Sequence, residues 1–112
     1  MTFAFPDGSI GVVDYLANGD KSFTKERVEV FCGGAVAVLD DFRKLETIRD
    51  GKRKEEKRNQ DKGWTDEWKA FAKSIREGGA PPIPYEQLIG VTKATFAAVE
   101  SIRKEGEKVA VA

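Results

Sequence analysis

The sequence predicts an α+β domain in which an antiparallel sheet of five or six strands is followed by two helices packed on one of its faces. Three observations predict it. The first half alternates short apolar runs with the turn dipeptides Asp7-Gly8, Asn18-Gly19, Gly33-Gly34 and Asp50-Gly51, as strands joined by tight turns do. From Trp64 onward the apolar residues recur at helical spacing. Gly78-Gly79 and the run Pro81-Pro82-Ile83-Pro84 then divide that half into two helices.

The first strand covers residues 2 to 6, where Phe3 and Phe5 alternate with small residues and Pro6 marks the end. Ser9 to Ala17 reads as the central strand. Ile10, Val12, Asp14 and Leu16 share one face, and Val13, Tyr15 and Ala17 the other. Both faces are largely apolar, so this strand expects cover on both sides. Lys25 to Phe31 alternates charged and apolar residues as a half-buried strand, with Val28 and Val30 opposed to Glu29 and Phe31. Gly33-Gly34 turns the chain into Ala35 to Leu39, a continuous apolar run suited to the sheet interior. Asp40-Asp41 breaks the pattern, Phe42 to Arg49 resumes it, and Lys52 to Arg58 follows the Asp50-Gly51 turn as a charged edge strand.

In the second half, Trp64, Trp68, Phe71, Ala72 and Ile75 fall on one helical stripe, with Thr65, Asp66 and Glu67 suited to the helix start. Pro84 can open a second helix, which runs from about Tyr85 to Lys104. Leu88, Val91, Thr95, Val99 and Ile102 form its apolar stripe, and Ile89 and Phe96 widen it. Lys108 to Ala112 either adds a short strand or frays. Two helices cover one side of a sheet only, so the other side is expected to meet a second subunit or another part of a larger molecule.

Composition narrows the chemistry. At 112 residues the chain is expected to be a single domain, residues 1–112, able to bury a modest core without disulfides. Nineteen basic and 19 acidic residues cancel, which argues against nucleic acid as a partner. The absence of histidine removes the commonest general base, the commonest zinc ligand and every Ser-His or Cys-His arrangement. Cys32 is the only cysteine, so no internal disulfide forms, and this composition fits a cytoplasmic location. No apolar run is long enough to span a bilayer, and none of the opening residues resembles a signal peptide.

No nucleotide-binding glycine loop occurs. Asp40-Asp41 point to opposite sides if extended, which suits a turn better than a shared proton. The charged stretch Lys52 to Arg58 reads as a solvated edge rather than a phosphate site, because glutamates interrupt it and aromatics are absent. Trp64 and Trp68 read as core residues at helical spacing, with sugar stacking as the alternative. Cys32 reads as a small buried or half-buried residue. Tyr15 is either a core or interface residue or a ligand contact. Lys25, beside Glu26, is either a solvated strand entrance or a substrate contact. No residue is a candidate for catalysis, cofactor binding or metal ligation; Tyr15, Asn18 and Lys25 are the candidate substrate contacts.

Three strings carry a resemblance. They are Phe-Pro-Asp-Gly-Ser-Ile-Gly-Val-Val-Asp-Tyr-Leu-Ala-Asn-Gly-Asp-Lys-Ser-Phe-Thr-Lys-Glu-Arg-Val-Glu-Val-Phe at 5–31, Val-Leu-Asp-Asp-Phe-Arg-Lys-Leu-Glu at 38–46 and Asp-Lys-Gly-Trp at 61–64. Together they resemble the C-terminal part of the Gfo/Idh/MocA family of NAD(P)-dependent oxidoreductases, in particular members that follow a zinc-type alcohol-dehydrogenase-like module. Ala94 to Ile102, with Gly106 beyond, is similar to the helix that closes such proteins. The resemblance spans nearly all of residues 3–109.

The resemblance implies that an N-terminal Rossmann domain, outside this sequence, holds NAD or NADP. It also implies that a lysine in a Glu-Lys-Pro motif assists proton transfer on a sugar, inositol or related polyol. The C-terminal sheet would wall the substrate pocket and mediate homo-oligomerisation through its open face. This sequence has neither the dinucleotide fingerprint nor Glu-Lys-Pro, and Lys25-Glu26 does not inherit that role. The histidine that many members carry in this domain is also missing. The chain alone is therefore expected to be inactive in hydride transfer. The alternative is a stand-alone interaction module that dimerises and has no redox activity.

Overall fold

A computed structural model describes residues 1–111. Six strands precede two helices: β1 (Thr2–Ala4), β2 (Ile10–Val12), β3 (Arg27–Cys32), β4 (Ala35–Asp40), β5 (Lys44–Arg49), β6 (Lys52–Lys57), α1 (Trp64–Glu77) and α2 (Tyr85–Arg103). The fold is α+β, and every strand pair is antiparallel. The chain divides into two units, Leu16–Trp64 and Met1–Tyr15 with Thr65–Ala112.

The unit Leu16–Trp64 is a four-stranded meander in the order β3-β4-β5-β6. Its turns explain its register. Gly33 and Gly34 take φ values of 54° and 75°, and Asp50 and Gly51 take 50° and 69°. Two consecutive left-handed residues make the two-residue hairpin whose twist matches that of the flanking strands. Cys32 therefore faces Ala35, and Arg49 faces Lys52. The β4–β5 connection is one residue longer, Asp41 to Arg43, which places Asp40 opposite Lys44. Strand β5 accordingly starts at Lys44 rather than Phe42.

In the other unit, β1 and β2 form a separate hairpin, with Thr2 opposite Val12 and Ala4 opposite Ile10. Asp7 Oδ1 accepts hydrogen bonds from the Ser9 N–H at 2.9 Å and the Ser9 hydroxyl at 2.7 Å, closing the turn. Gly11 leaves room for the Phe5 ring, since a Cβ there would lie 3.3 Å from Phe5 Cε2. Helix α1 ends in a Schellman motif: Gly78 takes φ 63°, and the Gly79 N–H donates to the Ser74 carbonyl at 2.9 Å. Helix α2 ends the same way, with Gly106 N–H donating to the Ser101 carbonyl at 2.8 Å, but its left-handed residue is Glu105, φ 58°. Pro84 is the residue just before α2 rather than its first residue. Lys108 to Val111 add no strand, and Ala112 lies outside the described residues.

Several expectations are corrected. The single sheet of five or six strands is two sheets, of two and four strands. The central strand Ser9 to Ala17 shrinks to Ile10–Val12, because the register brings Val13 level with Met1 and leaves Asp14 onward with no residue of β1 to pair with. The interior strands are β4 and β5 of the larger sheet, and β4, expected as an interior strand, is half-buried along its whole length. None of the described residues is buried. The helical stripes stay open rather than forming a core, with Trp68 at 68 % exposure, and α1 and α2 do not approach each other. Cys32, expected to be at least half-buried, is exposed.

The Glu105 conformation generates a test. Left-handed backbone is unfavourable for a residue with a Cβ and free for glycine. Glu105→Gly is expected to stabilise α2 by about 0.5–1 kcal/mol, read as an increase in helical circular dichroism at fixed temperature.

Candidate interaction face and its charged counterface

Directly opposed residues of an antiparallel pair point to the same side of the sheet. The register therefore assembles one face from the rows Val28, Leu39, Leu45; Val30, Ala37, Thr47; and Cys32, Ala35, Arg49. Strand β6 extends those rows with Glu56, Lys54 and Lys52. The face is thus apolar along β3 and β4 and at Leu45 of β5, and polar or ionic from Thr47 and Arg49 outward through β6. Val28 is 48 % and Val30 52 % exposed on the edge strand β3. Such a surface gains free energy by losing water, with no specific chemistry required.

The counterface mixes apolar side chains with paired charges: Phe31, which is 72 % exposed, Val36, Val38 and Ile48 share it with Glu29, Glu46, Arg53 and Glu55. Glu46 and Glu55 stand directly opposite each other, an arrangement that like charges disfavour. Cations compensate, Arg53 and Lys44 diagonally across the two strands and Lys57 from two residues along β6. Arg53 Nε reaches Glu46 at 2.8 Å, Lys57 Nζ reaches Glu55 at 2.9 Å, and Lys44 Nζ approaches Glu55 at 3.6 Å. Glu46 is left only 13 % exposed. The hydrogen bond from Lys57 holds the Glu55 carboxyl below the usual glutamate range, and Lys57 is raised in return. Lys54 and Glu56, 2.6 Å apart on the other side of β6, shift in the same two directions for the same reason.

One end of the meander is tied by a polar cluster. Asp41 and Phe42 take φ values of 49° and 53°, uncommon for residues other than glycine. Gln60 Nε2 donates to the Asp41 carboxylate at 2.9 Å and to its carbonyl at 3.1 Å, and Arg43 Nε lies 3.0 Å from the same side chain. Lys62 Nζ pairs with Glu26 at 2.6 Å and sits 6.0 Å from the centre of the Phe42 ring. These bonds fasten the segments before β3 and after β6 to the β4–β5 turn. Asp40-Asp41 is therefore a turn. Local patterning did not reveal the cluster, because its members come from three separated segments.

The candidate substrate contacts are scattered. Asn18 and Lys25 lie in the irregular segment before β3, both exposed, and no hydrogen bond or ion pair joins them among the described residues. Tyr15 belongs to the other unit and is 86 % exposed. The described residues hold no group of three or more histidine, cysteine, aspartate or glutamate side chains placed to bind a metal ion.

Linkage gives the β5–β6 pairs a pH signature. Glu55 and Glu56 are lowered in the folded state, so their contribution is present above the ordinary glutamate range and is lost as pH falls through the folded values. Lys54 and Lys57 are raised, so theirs is lost only as pH rises beyond the ordinary lysine range. Lys57→Met is expected to move the Glu55 titration upward, followed by the NMR shift of its carboxyl carbon; an unmoved titration would contradict the pairing. Compared with protein-family models, with curated proteins and with solved structures, the chain matches none of them.

Proposed function

We propose that the chain is an assembly domain, the C-terminal substrate-pocket and oligomerisation domain of an NAD(P)-dependent sugar or polyol oxidoreductase. One observation carries the assembly part: no described residue is buried, while aliphatic rows run along β3 and β4 and reach Leu45 of β5. A domain built this way gains its core from what it joins. The redox part rests on the resemblance of residues 5–31, 38–46, 61–64 and 94–102. The nicotinamide cofactor does not fit these residues, because the sheets are wholly antiparallel and no strand leads through a glycine-rich loop into a helix. Hydride transfer is accordingly assigned to a Rossmann domain, and this chain to walling the pocket, with Tyr15, Asn18 and Lys25 as candidate contacts.

The second reading, a stand-alone module that dimerises without redox chemistry, draws on the same open face. Its Lys54–Glu56 ion pair lies along β6, so two copies can meet over the aliphatic rows of β3 and β4 and exclude water. The two readings share a first test and part at a second. Mass in solution over a concentration series is expected to show self-association that Val30→Asp abolishes. A strict monomer with a dispersed spectrum and no binding of an apolar dye would sink both. Turnover of polyols with NAD or NADP, recovered when the chain is mixed with a Gfo/Idh/MocA Rossmann domain stripped of its own sheet, supports the first reading; association without turnover supports the second.

A further inference from the structure

We infer that Asn18-Gly19 is a site of non-enzymatic modification, at which the Asn18 side-chain amide converts to an acid through a cyclic imide. The chemistry needs an amide carbonyl, a following backbone nitrogen free to reach it, and no side chain in the way. The Gly19 nitrogen attacks Asn18 Cγ, losing its proton as the new C–N bond forms and the side-chain nitrogen leaves as ammonia. Water then opens the ring. Attack at the side-chain carbonyl gives aspartate; attack at the main-chain carbonyl gives isoaspartate, with the chain rerouted through the former side chain.

The structure supplies each requirement at this position. Asn18 and Gly19 lie outside every strand and helix and are both exposed. Among the described residues, no hydrogen bond engages the Gly19 N–H or the Asn18 side chain. A Cβ added at Gly19 would meet nothing within 4 Å, so rotation about the preceding bond is open. The next turn, closed by Asp20 Oδ1 on the Ser22 N–H at 2.8 Å, begins only beyond the reacting atoms.

Other positions fail one requirement each. Asn59 precedes Gln60, a bulky residue whose side chain is held on Asp41. At Asp7-Gly8 the attacking nitrogen is occupied, since the Gly8 N–H donates to the Phe5 carbonyl at 3.0 Å. Asp50-Gly51 is locked in the β5–β6 turn and offers a carboxylate, a poor electrophile, in place of an amide. Conversion at Asn18 takes the formal net charge from zero to one negative charge, because the new carboxyl ionises well below neutral pH.

The test uses the whole chain, incubated at physiological temperature in mildly alkaline buffer and sampled by mass spectrometry of the tryptic peptide that ends at Lys21. The expected result is steady conversion at Asn18 to aspartate and isoaspartate, isoaspartate in excess, while Asn59 keeps its amide. Gly19→Ala is expected to slow the conversion several-fold. An Asn18 that stays intact while the free peptide 14–21 converts would overturn the inference, as would equal rates in the parent chain and Gly19→Ala.

Discussion

The chain carries the apolar residues of a core without the core. Leu39, Leu45, Val28 and Val30 sit on one sheet face, Trp64, Trp68, Phe71 and Ile75 on one helix stripe, and none is buried. Burial of apolar area is the largest favourable contribution to folding, at about 25 cal/mol per Å². Conformational entropy opposes it at every ordered residue. A chain that orders six strands and two helices and leaves this area wet has not collected the term that should hold them in place. Association is the physical remedy, and the exposed apolar surface of Val28, Val30, Leu39 and Leu45 is one place where it applies.

What the chain does hold together, it holds locally. The meander is set by turn chemistry: two left-handed pairs, Gly33-Gly34 and Asp50-Gly51, fix register, and the Gln60 and Lys62 contacts fasten the longer Asp41 to Arg43 turn. The ionic counterface adds ordering rather than much stability, since exposed pairs contribute little each. Phe31, Val36, Val38 and Ile48 stand among those charges, so both sides of the meander carry apolar area.

Much of this was legible from residues. Glycine and aspartate at the hairpin tips placed β3 to β6 nearly to the residue, and alternation assigned Val28 and Val30 to one face and Glu29 and Phe31 to the other. Helical period and the Gly78-Gly79 stop placed α1. The misreadings have separate causes. Ser9 to Ala17 has the composition of a central strand, but a strand extends only as far as a partner runs beside it, and β1 stops providing one at Val13. Trp64 and Trp68 have core composition, but burial needs a second surface, which periodicity does not supply. The Asp41 cluster escaped for a third reason: hydrogen bonds among residues 26, 41, 60 and 62 exist only once the meander has brought them together.

The central claim, that association completes the core, is tested most directly by urea unfolding at a series of protein concentrations. Coupled association makes stability depend on concentration by mass action, so the midpoint is predicted to rise steadily as the chain is concentrated. A midpoint independent of concentration, with the steep denaturant dependence of a monomer that buries a full core, would contradict it.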